Sequence, residues 1–303
     1  MDAIYLTLCL LILLGTLLTK NRCGLAYVLA ISCWVASEVA TNLIHSPWSS
    51  AGYVAFYPFV FLAIPGQIAL HLVKQGQKVC IASFEMKPIK TLERMLRQFS
   101  GEYIDDPLVS DRESYITKIL TRMDKFTVNS LYLYDQQGTT SPDKVIAMSR
   151  YCAMELNVQH IFIDSLMKCV RNEDDFNGQK NFIDELTALA RDHNVHVHLV
   201  HHIRKQASDE VTPNKNDLKG SGSISDQVDN VFLVWRNKKK ENQRNRGEQI
   251  DESQGDTFLM NEKQRNGEAQ EWYQLWYHAA SQQFVESAGS RPMDFDNNGK
   301  FRD

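Results

Sequence analysis

From about residue 66 onward the sequence predicts an α/β fold, a parallel sheet whose strands are joined by crossover helices. Two observations predict it. Short apolar runs at 78–84, 131–134, 160–164, 195–201, 230–235, 256–261 and 272–277 alternate with helical-period stretches at 90–99, 144–156 and 181–193. Several of these runs also stop on a charged or polar residue, the form in which a parallel sheet presents side chains at its carboxyl edge. Ser141-Pro142 makes a suitable start for the second helix.

The front of the chain has a different composition. Residues 4–18, 24–44 and 51–66 form three apolar runs, the second carrying only Glu38. Each is close to the roughly 17 to 25 residues that span a bilayer. Lys20 and Arg22 lie in the first connection, and no Lys or Arg follows before Lys74, so the positive-inside rule would hold that connection in the cytoplasm. The reading is two segments: 1–65, α-helical, hydrophobic and a transmembrane candidate with three spans, and 66–303, a cytoplasmic globular domain. A signal peptide and buried core helices are the competing readings of the front. The run lacks a basic lead, and further apolar runs follow where a mature domain would begin.

The formal net charge is −4 over 303 residues, so no global basic field announces nucleic acid. Cys9, Cys23, Cys33, Cys80, Cys152 and Cys169 are scattered without a Cys-x-x-Cys pair, which points to buried free thiols rather than a zinc site or a disulfide framework. Two polar stretches, 206–216 and 238–255, read as loops. The second, with KKKENQRNRGEQ, is either a nucleic-acid patch or a solvated hairpin tip.

The chemistry lies in a series of strand ends. IFIDS at 161–165 is an apolar strand finishing on Asp164, as a Mg²⁺-holding Walker B strand does. CIASFEM at 80–86 is a second strand finishing on Glu85, and a carboxylate beside the first can serve as general base. A third strand closes on His201, His202, Ile203, Arg204 and Lys205. LKGSGSI follows at 218–224 and runs into the next strand, and EKQRNGE at 262–268 ends another with Lys263 and Arg265.

In this order and spacing, the series FEM, IFIDS, HHIRK, KGSGSI and KQRNG resembles the RecA-like motor of DnaB-like hexameric replicative helicases, and most closely the helicase half of phage primase-helicases. The resemblance covers about residues 66–284. It implies an ATP- and Mg²⁺-dependent motor that moves along single-stranded DNA as a homo-oligomeric, hexameric ring. It gives Glu85 the role of catalytic base, Asp164 that of Mg²⁺ and nucleotide ligand, and His202 that of γ-phosphate sensor, with His201 exchangeable for it on sequence alone. Gln67 falls at the nucleotide. Arg204, Lys205, Lys215, Lys219 and Gly220 fall in the loops facing single-stranded DNA, Lys215 being equally readable as a solvated loop lysine. Lys263 and Arg265 match a finger that enters a neighbouring subunit's ATP site.

One element of the family pattern is missing. A phosphate loop needs Gly-x-x-x-x-Gly-Lys-Ser/Thr, and the sequence contains none; its only Gly-Lys pair, Gly299-Lys300, is followed by Phe301. The resemblance implies the Gly-Lys-Ser/Thr at about 60–62, where Val60, Phe61 and Leu62 stand. The motor is therefore expected to lack its first strand and phosphate loop and to join an unrelated front at about 64–66. Three functions remain open: an impaired helicase motor, a non-catalytic DNA-binding or mixed-ring subunit working with an intact helicase, and a membrane protein carrying a degenerate helicase passenger.

Overall fold

The computed structural model describes the backbone at 53–55 and residues 63–104, 111–170, 172, 174–203, 211–218, 224–267 and 271–296. The elements run β1 (Tyr53–Ala55), α1 (Ala63–Lys74), β2 (Val79–Ser83), α2 (Pro88–Ser100), α3 (Arg112–Thr127), β3 (Leu131–Leu133), α4 (Pro142–Met154), β4 (His160–Asp164), α5 (Phe176–His193), β5 (His196–Val200), α6 (Ile224–Gln227), β6 (Asn230–Arg236), α7 (Lys238–Asn245), β7 (Thr257–Gln264), β8 (Trp272–His278) and β9 (Gln283–Val285). Single 3₁₀ turns occupy Leu166–Lys168 and Lys215–Asp217.

The strands form one sheet in the order β3-β2-β4-β5-β1-β6-β7-β8-β9. Every pair from β3 to β6 is parallel, and β7, β8 and β9 are added antiparallel. Continuous burial of β2, β4 and β5 is what a parallel strand covered on both faces requires.

Alternate residues of these strands feed two cores. Cys80, Ala82, Ile161, Ile163, Val197 and Leu199 meet Val145 of α4 and Phe182 and Leu186 of α5 on one face. Val79, Ile81 and Phe162 meet Leu70 of α1, Met95 and Phe99 of α2 and Ile119 of α3 on the other. Helix ends follow local chemistry. Pro88 opens α2, and Gly101 closes it at φ 70 with its N–H on the Arg97 carbonyl. Asp175 caps α5 by accepting from the Gly178 N–H at 2.9 Å.

Two expectations are corrected. The third apolar run, 51–66, was expected to span a membrane, but Tyr53–Ala55 forms a sheet strand and Ala63–Lys74 a helix packed on the core. Ala69 and Leu70 are fully buried. A helix enclosed by protein needs the same apolar composition as one enclosed by lipid, so hydropathy alone does not separate them. The sheet was also expected to lack a strand ahead of residue 66, whereas β1 pairs with both β5 and β6. The runs at 4–18 and 24–44 lie outside the described residues. Among the described residues no helix is long and apolar enough to cross a membrane.

Helices α3 and α7 were not anticipated. Helix α3 buries only Ile119 and Met123, too weak a stripe to register in its sequence. Helix α7 has no apolar face at all; its buried residue is Lys240.

Candidate functional site

Residues Ser83 and Asp164 are register partners on β2 and β4, so the two strands finish level and deliver Glu85 and Asp164 side by side at the carboxyl edge. Glu85 Oε1 accepts from Ser165 Oγ at 2.7 Å and lies 3.2 Å from His202 Nε2. Asp164 Oδ2 accepts from Ser83 Oγ at 2.9 Å, and Ser83 Oγ accepts in turn from the Met86 N–H at 3.2 Å.

Environment separates the two acids. The Glu85 carboxyl is held down at about 2, chiefly by the hydrogen bond from His202, with help from Ser165 and from the charges of His202 and Lys168, against the opposing effect of burial. Asp164 is 5% exposed, and burial pushes its carboxyl up to about 6. The Glu85 charge adds to that rise, while the Ser83 hydrogen bond and the charges of His202 and Arg94 offset part of it. One carboxylate thus stays ionised at neutral pH, and its neighbour is a buried, more basic anion. The two adjacent histidines differ in placement: His201 is fully buried, and His202 turns to Glu85.

The structure brings Glu85, Asp164 and His202 together, while Gln67, Lys263 and Arg265 make other contacts. Gln67 uses both ends of its amide on β9, donating to the Phe284 carbonyl at 3.0 Å and accepting from the Phe284 N–H at 2.8 Å. It clamps α1 to the last strand rather than facing the carboxylates. Lys263 donates to the carbonyls of Ser225, Asp226 and Val228 at 2.7, 3.1 and 2.9 Å. Arg265 pairs with Asp229 at 2.9 Å and donates to the Asp226 and Gln227 carbonyls.

Strands β5, β1 and β6 separate β4 from β7, which at about 4.8 Å per step sets Arg265 roughly 19 Å to the side of Asp164. It also lies toward the opposite edge, because β7 pairs Gln264 with Asn230 at the start of β6. An arginine side chain does not bridge that gap, so within one chain Arg265 and the carboxylates are separate.

Lys215 is exposed in its 3₁₀ turn, its N–H 3.4 Å from Glu262 Oε2. An Ile203–Leu218 bridge closes the base of the loop that carries it. Arg204, Lys205, Lys219 and Gly220 lie outside the described residues. The stretch at 238–255, read as a loop, opens with the helix Lys238–Asn245, and most cations in and beside it are paired: Arg236 and Lys238 with Glu241, Lys240 and Arg244 with Glu252 and Asp256, and Arg246 with Glu248.

Sequence reasoning missed Ser83, Ser165 and Asp229. The signal for the serines was available, since CIAS and IFID end level once the strands are set in register.

Comparison with known proteins places the chain in a family and a fold. The family described as DnaB-like helicase C terminal domain matches residues 61–286. The fold resembles a solved structure described as an ATPase domain, with a TM-score of 0.65 and 17% identity over 78% of this chain and 84% of that one. It also resembles a DnaB-like replicative helicase solved for its interactions with primase, with a TM-score of 0.63 and 18% identity over 78% of this chain and 57% of that one. The family match spans well over half of the sequence: this chain belongs to the DnaB-like helicase C-terminal domain family.

Proposed function

We propose that the chain is a subunit of a ring-shaped, ATP-driven helicase motor acting on single-stranded DNA, able to complete a neighbour's ATP site but not its own. The observation that carries this reading is the convergence of Glu85, Asp164 and His202 at the ends of neighbouring parallel strands, in a chain of this family. Within it, Glu85 is the base that orients the attacking water, Asp164 the metal ligand and His202 the group that senses phosphate. Lys263 and Arg265 form the finger offered to the next subunit of a hexameric or mixed ring.

Fit to the family's cofactors is partial. Among the described residues, no group of three or more His, Cys, Asp or Glu side chains gathers into a metal cage. On this reading Mg²⁺ would be held by Asp164 and completed by water and phosphate, the usual manner of Mg²⁺ at nucleotides. Bound there, Mg²⁺ would neutralise phosphate charge. The phosphate clamp does not fit. Residues 55–62 read AFYPFVFL, without the glycines, lysine and hydroxyl that cradle phosphates, so no hydrolytic step is assigned to this chain's own site.

The lysine and arginine carry the part that survives. A guanidinium fork neutralises charge on a transferring phosphoryl group, and such fingers are worth about 10³ to 10⁵ in rate elsewhere. Their separation from Glu85 and Asp164 within one chain supports action between subunits.

Restoring the clamp tests the reading. The seven residues 56–62 lie between the end of β1 and the start of α1, where a phosphate loop would run. Unaltered protein is expected to hydrolyse no ATP above a buffer control, with or without DNA. The combined changes Ala55→Gly, Val60→Gly, Phe61→Lys and Leu62→Thr are expected to confer DNA-stimulated hydrolysis that Glu85→Gln abolishes. Hydrolysis by the unaltered chain that Glu85→Gln removes would overturn the impairment. A folded, clamp-restored protein that neither binds nor hydrolyses ATP would overturn the motor assignment.

A further inference from the structure

The two carboxylates are held by an exchange between their strands. Ser83 stands on β2, two residues before Glu85, yet its hydroxyl serves Asp164 of β4 at 2.9 Å. Ser165 follows Asp164, yet its hydroxyl serves Glu85 beyond β2 at 2.7 Å. Both serines are buried, Ser83 at 4% and Ser165 at 0% exposure. Each is itself fixed by backbone: Ser83 Oγ accepts the Met86 N–H, and the Ser165 carbonyl accepts the Lys168 N–H at 3.0 Å.

We infer that Ser83 and Ser165 are reciprocal positioning residues, each strand's hydroxyl orienting the other strand's carboxylate so that the base and the metal ligand keep one fixed relation. A hydrogen bond from hydroxyl to carboxylate is charge-assisted, short and directional. Two such bonds in opposite senses hold both rotation of the acids and sliding of one strand end past the other.

The exchange also differentiates the oxygens of Glu85. Ser165 and His202 both address Oε1, so that Oε2 is the oxygen that would be available to an attacking water. For Asp164, Ser83 engages Oδ2, so that Oδ1 is the oxygen that would be available to a metal. The mechanistic use of this arrangement rests on the proposed function; the positioning itself does not.

The test separates the two. In the full-length chain labelled with ¹³C at Glu and Asp carboxyls, the Glu85 resonance at pH 7 is identified by its loss in Glu85→Gln and that of Asp164 by its loss in Asp164→Asn. Ser165→Ala is expected to move the Glu85 signal toward that of exposed glutamates, while Ser165→Thr, which keeps the hydroxyl, restores it. Ser83→Ala is expected to do the same to Asp164. Unfolding midpoints of every variant confirm that the fold persists, and Ser165→Cys replaces Ser165→Ala if the latter fails to fold. An unmoved Glu85 signal in a folded Ser165→Ala or Ser165→Cys protein, or a threonine that does not restore it, overturns the inference.

A second arm uses the clamp-restored protein. There Ser165→Ala is expected to lower kcat at least tenfold with KM for ATP little changed, the signature of an interaction that matters only in the transition state. Absence of hydrolysis in the clamp-restored parent counts against the functional reading alone, and the carboxyl signals still decide the positioning.

Discussion

Arg265 and Asp229 form an ion pair, Nη1 to Oδ1 at 2.9 Å, where β6 begins, while Glu85 and Asp164 stand where β2 and β4 finish. Asp229 is 7% exposed. Its burial raises the carboxyl above its ordinary range despite the neighbouring Arg265 and Lys263 charges. Arg265 is therefore braced on the turn ahead of β6, away from the carboxyl edge that carries its own chain's acids.

Binding to single-stranded DNA is expected to be sequence-independent and to weaken steeply with salt, because each phosphate neutralised releases a counterion. Arg204→Glu and Lys219→Glu should each lower affinity and shallow the slope of log K against log salt by about 0.7 per lost contact. Arg244→Glu should change neither, since Arg244 already answers Asp256 at 3.1 Å and Glu252. Fluorescence anisotropy on a labelled oligonucleotide checks all three. Equal effects from the three reversals would contradict the assignment of the loops.

Stability should fall on mild acidification. His160, His196 and His198 pack together on β4 and β5, with His160 Nδ1 3.1 Å from His198 Nε2 and Phe162 stacked on His198 at 4.0 Å. Burial pulls His160 down to about 3 and the other two well below their ordinary value. The unfolded chain binds these protons near pH 6.5 and the folded chain does not. Stability is thus full above that pH and drains as pH falls below it, by about 1.4 kcal/mol per histidine between pH 7.5 and 5.5. Urea midpoints across that range should drop for the native chain and drop less for His160→Leu. Parallel pH profiles for the two proteins would contradict this account.

Gln67 offers a test between position in sequence and position in space. Its amide makes two hydrogen bonds to Phe284, and Gln67→Ala would leave both backbone groups unserved. The expected cost is about 1 to 3 kcal/mol of stability, read in a chemical denaturation curve. An unchanged denaturation midpoint, with weakened nucleotide binding in the clamp-restored protein, would return Gln67 to the nucleotide.

Much of the sheet was legible because its strands are short, apolar and sharply ended: His160–Asp164 is bounded in the structure as in the sequence. The pairing of Glu85, Asp164 and His202 was legible because strand ends in a parallel sheet share one edge. What failed has physical causes. Tyr53–Ala55 is a three-residue strand inside an apolar run, so no periodicity marks it. Lys238–Asn245 is a helix held by ion pairs and by Asn237, whose Oδ1 accepts the Lys240 N–H at 3.1 Å, with no hydrophobic stripe to announce it. Gln67 took its role from a partner 217 residues away, and nothing local encodes that partner.

The central claim is that this chain completes a neighbour's site while lacking a phosphate clamp of its own. Titrating it into an active helicase of the family, with strand unwinding and size-exclusion chromatography followed together, tests that claim most directly. Co-elution is expected, with unwinding falling more steeply than dilution, because one dead site interrupts hydrolysis around a ring. With Arg265→Ala the fall should be steeper still, since the adjacent intact site then loses its finger as well. No co-elution, together with activity falling only in proportion to dilution, would contradict it.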